Sequence, residues 1–146
     1  MRDHTAVIDA SVNHDGEGEE LRARGTRVLV KAASSRLTVT DHTVPAGFPG
    51  PPLHVHPGFD ETFIVLEGTL TMCVGERVEE VEPGGTVYVA GATPHTFANA
   101  AEAPARFMVA MSPGGFEEYF RAMAAGDEEA ALAAGARLGY QPYPPA

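Results

Sequence analysis

Two histidines and a glutamate with the chemistry of metal ligands lie within residues 50–68. His54 and His56 are two positions apart, and side chains at that spacing in a strand point to one face, about 7 Å from each other. Two imidazoles placed in this way can close on one ion. Pro57 and Gly58 then break the strand, so a hairpin would return Glu61 toward the histidines. The stretch predicts a site for a divalent metal.

His95 offers a third imidazole, after a turn at residues 83–85, a short strand at 86–89 and a second turn. Metal binding needs neutral imidazoles and an ionised carboxylate, and both are available at neutral pH. Three imidazoles and one carboxylate leave two octahedral positions open for water, a substrate oxygen or dioxygen. Because these ligands suit Zn, Fe, Mn or Ni, the cofactor is predicted only as one divalent transition metal ion.

The elements that would position these ligands are short strands separated by Gly and Pro turns, a pattern typical of a β-sandwich or barrel. Strands are predicted at residues 26–31, 36–44, 61–66, 69–74, 78–82, 86–89 and 105–111. The tail has helical spacing instead: Ser112 is predicted to cap a first helix that ends at Gly126, and Asp127 to cap a second at residues 128–138. Both helices are expected to pack outside the sandwich, over its open end.

The spacing of the ligands resembles the paired motifs of the cupin family. The first motif, His-x-His, four residues, Glu, six residues, Gly, is matched by His54, His56, Glu61 and Gly68. In the second motif, Gly84, His95 and Asn99 are in register, but Ala90 and Ala92 replace the expected Pro and Gly. The first motif also has a Gly six residues before its first His, and here Phe48 occupies that position.

This likeness runs from about residue 37 to residue 111. It implies an all-β cupin fold, the double-stranded β-helix or jelly-roll barrel, with C-terminal α-helices. It also implies His54, His56, Glu61 and His95 as the metal ligands, although in some cupins the acid leaves the metal and acts as a base, so Glu61 is also the candidate catalytic residue. The whole chain, residues 1–146, is predicted to be one cupin domain. Its parts are a partly mobile segment at 1–20, the core motifs at 37–111 and the helices at 112–138.

Bulk properties narrow the class of partner. The formal net charge of −10 would repel phosphate backbones, so no nucleic-acid partner is expected. No apolar run approaches the roughly 18 residues of a membrane span, and the N-terminus lacks a secretory signal, so a cytoplasmic protein without a membrane partner is predicted. The single cysteine, Cys73, excludes an internal disulfide.

An apolar substrate pocket is predicted beside the metal, because strand parity places aromatic and aliphatic side chains on the face of the ligands. Its predicted lining is Phe63, Val65, Met72, Phe97, Phe107 and Met111. No lysine or arginine is clearly placed to hold a carboxylate there. His42 is interpreted as a surface histidine, with a role near the metal or as an extra ligand as the alternative.

Other catalytic motifs are absent, including GxSxG, a Walker loop and a CxxC pair. The chain also resembles small cupins of the quercetin dioxygenase type and cupin aromatic polyketide cyclases. This resemblance implies an apolar aromatic or polyketide-type small molecule as substrate. Dioxygenase-like oxidation of a bound phenolate or enolate, with Glu61 as base, is expected first. Alternatives are a non-redox cyclase that uses the metal as a Lewis acid and a metal-containing binding protein. A homodimer is predicted through the outer face formed by Thr62, Ile64 and Leu66.

Overall fold

A computed structural model describes residues 10–144 of the chain, and two antiparallel sheets dominate this part. The first sheet has the strand order β1-β2-β3-β10-β5-β8, and the second has the order β11-β4-β9-β6-β7. The strands are β1 (Glu19–Ala23), β2 (Thr26–Ala33), β3 (Thr38–Val44), β4 (His54–Val55), β5 (Asp60–Glu67), β6 (Leu70–Val74), β7 (Arg77–Val81), β8 (Thr86–Val89), β9 (His95–Ala98), β10 (Ala105–Ser112) and β11 (Gln141–Pro142).

The core lies between the two sheets and follows from the two-residue period of the strands. In β10, Ala105, Phe107, Val109 and Met111 are buried, whereas the residues between them are partly exposed. β5 alternates in the same way and pairs with β10. Such alternation is expected where one face of an antiparallel sheet packs on the core. The predicted all-β jelly-roll class with C-terminal helices is confirmed.

Strand β1 was not predicted, because residues 1–20 were interpreted as a partly mobile segment. The structure instead begins an edge strand at Glu19 that pairs with β2. Only Leu21 and Ala23 turn toward the interior, so the strand carries too few apolar residues for a clear alternating pattern. The first part of the predicted mobile segment, residues 1–9, lies outside the described residues.

Two helices follow the sheets, α1 (Glu117–Ala124) and α2 (Glu128–Arg137). The predicted cap of α2 is confirmed, since the Asp127 side chain accepts a hydrogen bond from the Ala130 backbone N–H at 2.9 Å. The predicted cap of α1 is wrong: Ser112 is the last residue of β10, and the helix begins after a turn at residues 113–116. Neither helix has the length and hydropathy needed to cross a membrane.

Candidate metal centre

Two strands of the second sheet bring the three predicted histidine ligands together. β4 pairs with β9 at His54 and His95, so these imidazoles are direct cross-strand neighbours. His56 follows β4 on the same face. The ring centroids are 4.4 Å apart for His54 and His95, 4.7 Å for His54 and His56, and 5.3 Å for His56 and His95. One ring nitrogen of each residue lies within 4.8 Å of the others, a spacing that could hold a metal ion.

Glu61 reaches this cluster from the opposite sheet. It is the second residue of β5, is 6% exposed, and places its Oε1 atom 2.7 Å from the Nε2 atom of His95. The two atoms are close, but Nε2 is not directed for a hydrogen bond. Ligands that share one ion through bonds of about 2.1 Å lie about 3 Å apart when they are adjacent. The 2.7 Å separation is in the range of adjacent ligands, but the atoms that lie within 4.8 Å of one another belong to the three histidines, so Glu61 stands beside the cluster against His95.

Backbone carbonyls orient two of the rings. Nδ1 of His54 donates to the Pro52 carbonyl at 2.7 Å, and Nδ1 of His95 donates to the Thr93 carbonyl at 2.9 Å. This arrangement leaves the Nε2 lone pair of each ring available, as is usual for histidines that bind metals. Nδ1 of His56 and Nε2 of His95 are buried without a hydrogen-bond partner in the described chain. Because buried polar atoms rarely stay unpaired, these two indicate a missing ligand, and the residues present fit a metal ion.

The electrostatics of the cluster keep two rings neutral. Burial, and then the charges of His54 and His95, lower the pKa of His56 to about 3. Burial also lowers the pKa of His54. Burial alone would lower the pKa of His95, but Glu61 and the Thr93 carbonyl together raise it above its ordinary value. His54 and His56 are therefore neutral at pH 7, the state in which imidazole binds metals.

Close backbone packing fixes the loops around the ligands. The His56 N–H donates to the Gly91 carbonyl at 3.1 Å, and a Cβ on Gly91 would lie 2.8–3.0 Å from three carbonyl oxygens of residues 56–59. The absence of a side chain at Gly91 thus lets its backbone pack against residues 56–59. Gly91 lies between Ala90 and Ala92, the two positions that depart from the second motif. The Asp60 carboxylate accepts a hydrogen bond from the Gly91 N–H.

Asn99, the last residue of the second motif, supports the site without reaching it. Its side chain is fully buried and donates to the carbonyls of Pro45 and Ala103. Its backbone N–H donates to the Phe48 carbonyl. These bonds hold the loop that leads into β4, where a Cβ on Gly50 would lie 1.7 Å from the Phe97 carbonyl oxygen. A residue without a side chain is therefore required at position 50, where the loop passes against the backbone of Phe97.

A cavity of about 340 Å³ opens beside the cluster, with His54, His56 and Glu61 in its wall. Three of the predicted pocket residues line it: Phe63, Phe97 and Met111. The other three, Val65, Met72 and Phe107, lie in the core and do not line the cavity, because side chains nearer the cavity cover that part of the interior. The C-terminal elements, which were expected over the open end of the sandwich, supply a second wall whose residues were not among the predicted pocket residues: Phe116, Tyr119, Phe120, Met123 and Tyr140.

Comparison with known proteins identifies the family. Residues 40–111 match the cupin domain family. The protein belongs to the cupin superfamily. Among solved structures, this cupin is similar to KdgF from Halomonas sp., with a TM-score of 0.68 and 16% identity over 75% of this chain and 98% of that one.

Two further structures have the same fold. The polyketide cyclase RemF from Streptomyces resistomycificus has a TM-score of 0.58 and 23% identity, over 73% of this cupin and 80% of RemF. A sugar phosphate isomerase of the cupin superfamily from Silicibacter pomeroyi has a TM-score of 0.56 and 27% identity, over 60% and 59% of the two chains. No curated protein matches the sequence.

Two polar residues of the cavity wall correct the sequence interpretation of this cupin. His42 is not a surface histidine, since it is 4% exposed and lines the cavity. Arg24 also lines the cavity, although no arginine was expected there. Its charge is close enough to Tyr119 to oppose the burial that raises the pKa of that phenol. The two residues add hydrogen-bonding and positive charge to a largely aromatic wall.

Proposed function

We propose that this cupin is a metal-dependent enzyme that acts on an apolar, planar aromatic or polyketide-type small molecule. One observation carries the proposal: a buried cluster of three histidines with a glutamate stands in the wall of an aromatic-lined cavity. Apolar pockets with a few convergent polar groups are the usual setting for small-molecule chemistry. The volume of about 340 Å³ lies at the small end of the range for such sites.

His54, His56 and His95 would hold the ion, with Glu61 as a fourth ligand or as a free base. When bound, a divalent transition metal supplies Lewis acidity and, if it is redox-capable, access to dioxygen chemistry. The carboxylate of Glu61, which lines the cavity, would take a proton from a phenol or enol that enters it. Phe63 lies 6.4 Å from His95 and packs on Phe97, and both rings give that part of the cavity an apolar wall.

Two reactions fit this arrangement. The first is dioxygenase-like oxidation of a bound phenolate or enolate after loss of a proton to Glu61. The second is a non-redox cyclisation of a poly-β-ketone, and the specific observation in its favour is the structural similarity to the polyketide cyclase RemF. Both substrates are planar, apolar and rich in oxygen functions, so the same cavity suits either one.

Metal analysis followed by an oxygen-uptake assay tests the proposal. Protein purified without chelator is expected to contain about one transition metal ion per chain, and His95→Ala to contain much less. His14→Ala, which removes an exposed histidine, is the matched control. Incubation with a flavonol under air then separates the reactions, because oxygen uptake supports a dioxygenase. Zinc without oxygen uptake favours the cyclase, and a metal-free protein that turns over no such substrate refutes the proposal.

A further inference from the structure

His42 is a buried imidazole that stands apart from the metal cluster. It lies on β3, where it pairs with Val28 of β2 and Phe107 of β10. Its ring stacks nearly parallel on Phe107 at 5.1 Å and meets the edge of Phe120 at 5.2 Å. The described residues that cluster as possible ligands are His54, His56 and His95, so this fourth ring has no part in holding the ion.

Only one of the two ring nitrogens of His42 has a protein partner. Nε2 is 2.8 Å from the Thr40 hydroxyl, whereas Nδ1 makes no hydrogen bond within residues 10–144. In the part of the chain that the structure describes, the fully buried side-chain atoms without a partner belong to His56 and His95, and Nδ1 of His42 is not one of them. Since His42 lines the cavity, Nδ1 must open onto it. An unused polar atom is unfavourable in a plain core, where an apolar side chain would fill the same space without this penalty.

A continuous aromatic wall joins His42 to the metal cluster. The ring of Phe120 contacts both His42 and Phe116, at 5.2 Å and 5.4 Å, and Phe116 meets His56 edge-on at 5.0 Å. A planar molecule that lies along this wall has the histidine cluster at one end and Nδ1 of His42 at the other. The two polar groups are therefore set to contact opposite ends of one ligand.

We propose that His42 is a substrate-binding residue that hydrogen-bonds a hydroxyl or carbonyl oxygen at the end of the substrate remote from the metal. The substrate class is thereby narrowed to polyphenols or polyketides that carry a further oxygen function at the end remote from the metal. This inference rests on the proposed function. The imidazole is neutral at pH 7, because burial lowers its pKa to about 4. The Thr40 hydroxyl can donate to Nε2 or accept from it, so Nδ1 can accept from a phenol or donate to a carbonyl.

The test compares two ligands on metal-loaded protein: kaempferol, whose outer rings carry hydroxyl groups, and the unsubstituted flavonol, which lacks them. His42→Phe keeps an aromatic ring on Phe107 but removes the hydrogen bond. It is expected to weaken kaempferol binding about tenfold and to leave binding of the unsubstituted flavonol nearly unchanged. The Kd values are measured by fluorescence quenching or calorimetry, with metal content determined on each sample.

Two further variants separate a substrate contact from a structural role. The amide of His42→Asn reaches the position of Nδ1, whereas that of His42→Gln reaches the position of Nε2 and can replace only the bond to Thr40. We expect His42→Asn to retain more of the preference for kaempferol than His42→Gln. Equal loss for both ligands in His42→Phe, or better retention in His42→Gln, would overturn the role of His42 while leaving the proposed function standing. If wild-type protein loaded with metal binds neither flavonol, the proposed function fails, and this inference fails with it.

Discussion

His42→Phe is expected to reduce the pH dependence of the free energy of unfolding of this cupin in mild acid. The ring of His42 is 4% exposed and is enclosed by Phe107 and Phe120. Burial lowers its pKa from 6.5 to about 4, and the charge of Asp41 opposes this only in part. The unfolded chain therefore takes up a proton near pH 6.5, while the folded protein does not until about pH 4.

The sign and size of the effect follow from proton linkage. Above pH 6.5 the imidazole is neutral in both states and adds no pH dependence. Between pH 6.5 and pH 4, each unit of acidification lowers the free energy of unfolding by about 1.4 kcal/mol. At pH 5 the loss due to His42 is thus about 2 kcal/mol, equivalent to roughly 4–8 °C in Tm for a chain of this size.

Urea titrations of wild type and His42→Phe at several values between pH 7 and pH 5 measure this difference, with both proteins free of metal. The substitution leaves the Thr40 hydroxyl without its partner, which lowers stability by about 1–3 kcal/mol at every pH. The slope against pH is therefore the readout, and not the absolute value. His14→Phe makes the same exchange at an exposed position and is the control. Parallel curves for wild type and His42→Phe would refute the reasoning.

Three other predictions concern a metal ligand, the turn between β1 and β2, and the outer surface. His56→Ala should weaken metal binding by more than about tenfold, because loss of a hydrogen-bond partner of a metal ligand already weakens it that much. The far-UV circular dichroism spectrum should not change, and an unaltered metal content would contradict the assignment of His56 as a ligand. Arg24→Asn should raise the free energy of unfolding, measured in urea, by about 0.5–1 kcal/mol. Arg24 has a φ of 51° in the two-residue turn between β1 and β2, where Asn is favoured. A lower free energy of unfolding would contradict this prediction. Analytical ultracentrifugation should give the mass of a dimer at micromolar concentration. A monomeric mass would contradict a dimer interface formed by Thr62, Ile64 and Leu66.

The spacing of the ligands in the first motif was enough to predict much of the candidate site. Residues two apart in a strand share a face, so His54 and His56 had to point together, and the turn after them could return Glu61. The partner of His54 could not be derived in this way. His95 meets it through pairing between β4 and β9, which are far apart in sequence, and only the likeness to a known motif connected them.

Two unexpected features, the burial of His42 and the wall of C-terminal residues, both border the cavity. A strand that faces an apolar core buries apolar residues, but the inner face of β3 carries Thr38, Thr40 and His42. Residues of this kind normally indicate a solvent-facing side, so the pattern pointed outward. The helical wall was missed for a related reason. The helical period of Phe116 and Phe120 predicted an apolar stripe, but that stripe does not specify which opening it covers.

The pairing of β11 with β4 has a consequence for how the protein is made. Gln141 and Pro142 pair with Val55 and His54, and Tyr140 stacks on the His54 ring at 4.7 Å. During translation, all of the candidate ligands leave the ribosome before this tail does. A nascent chain can therefore gather its histidines while one side of them is still bare, and a product of premature termination would keep the donor set but lack the aromatic cover.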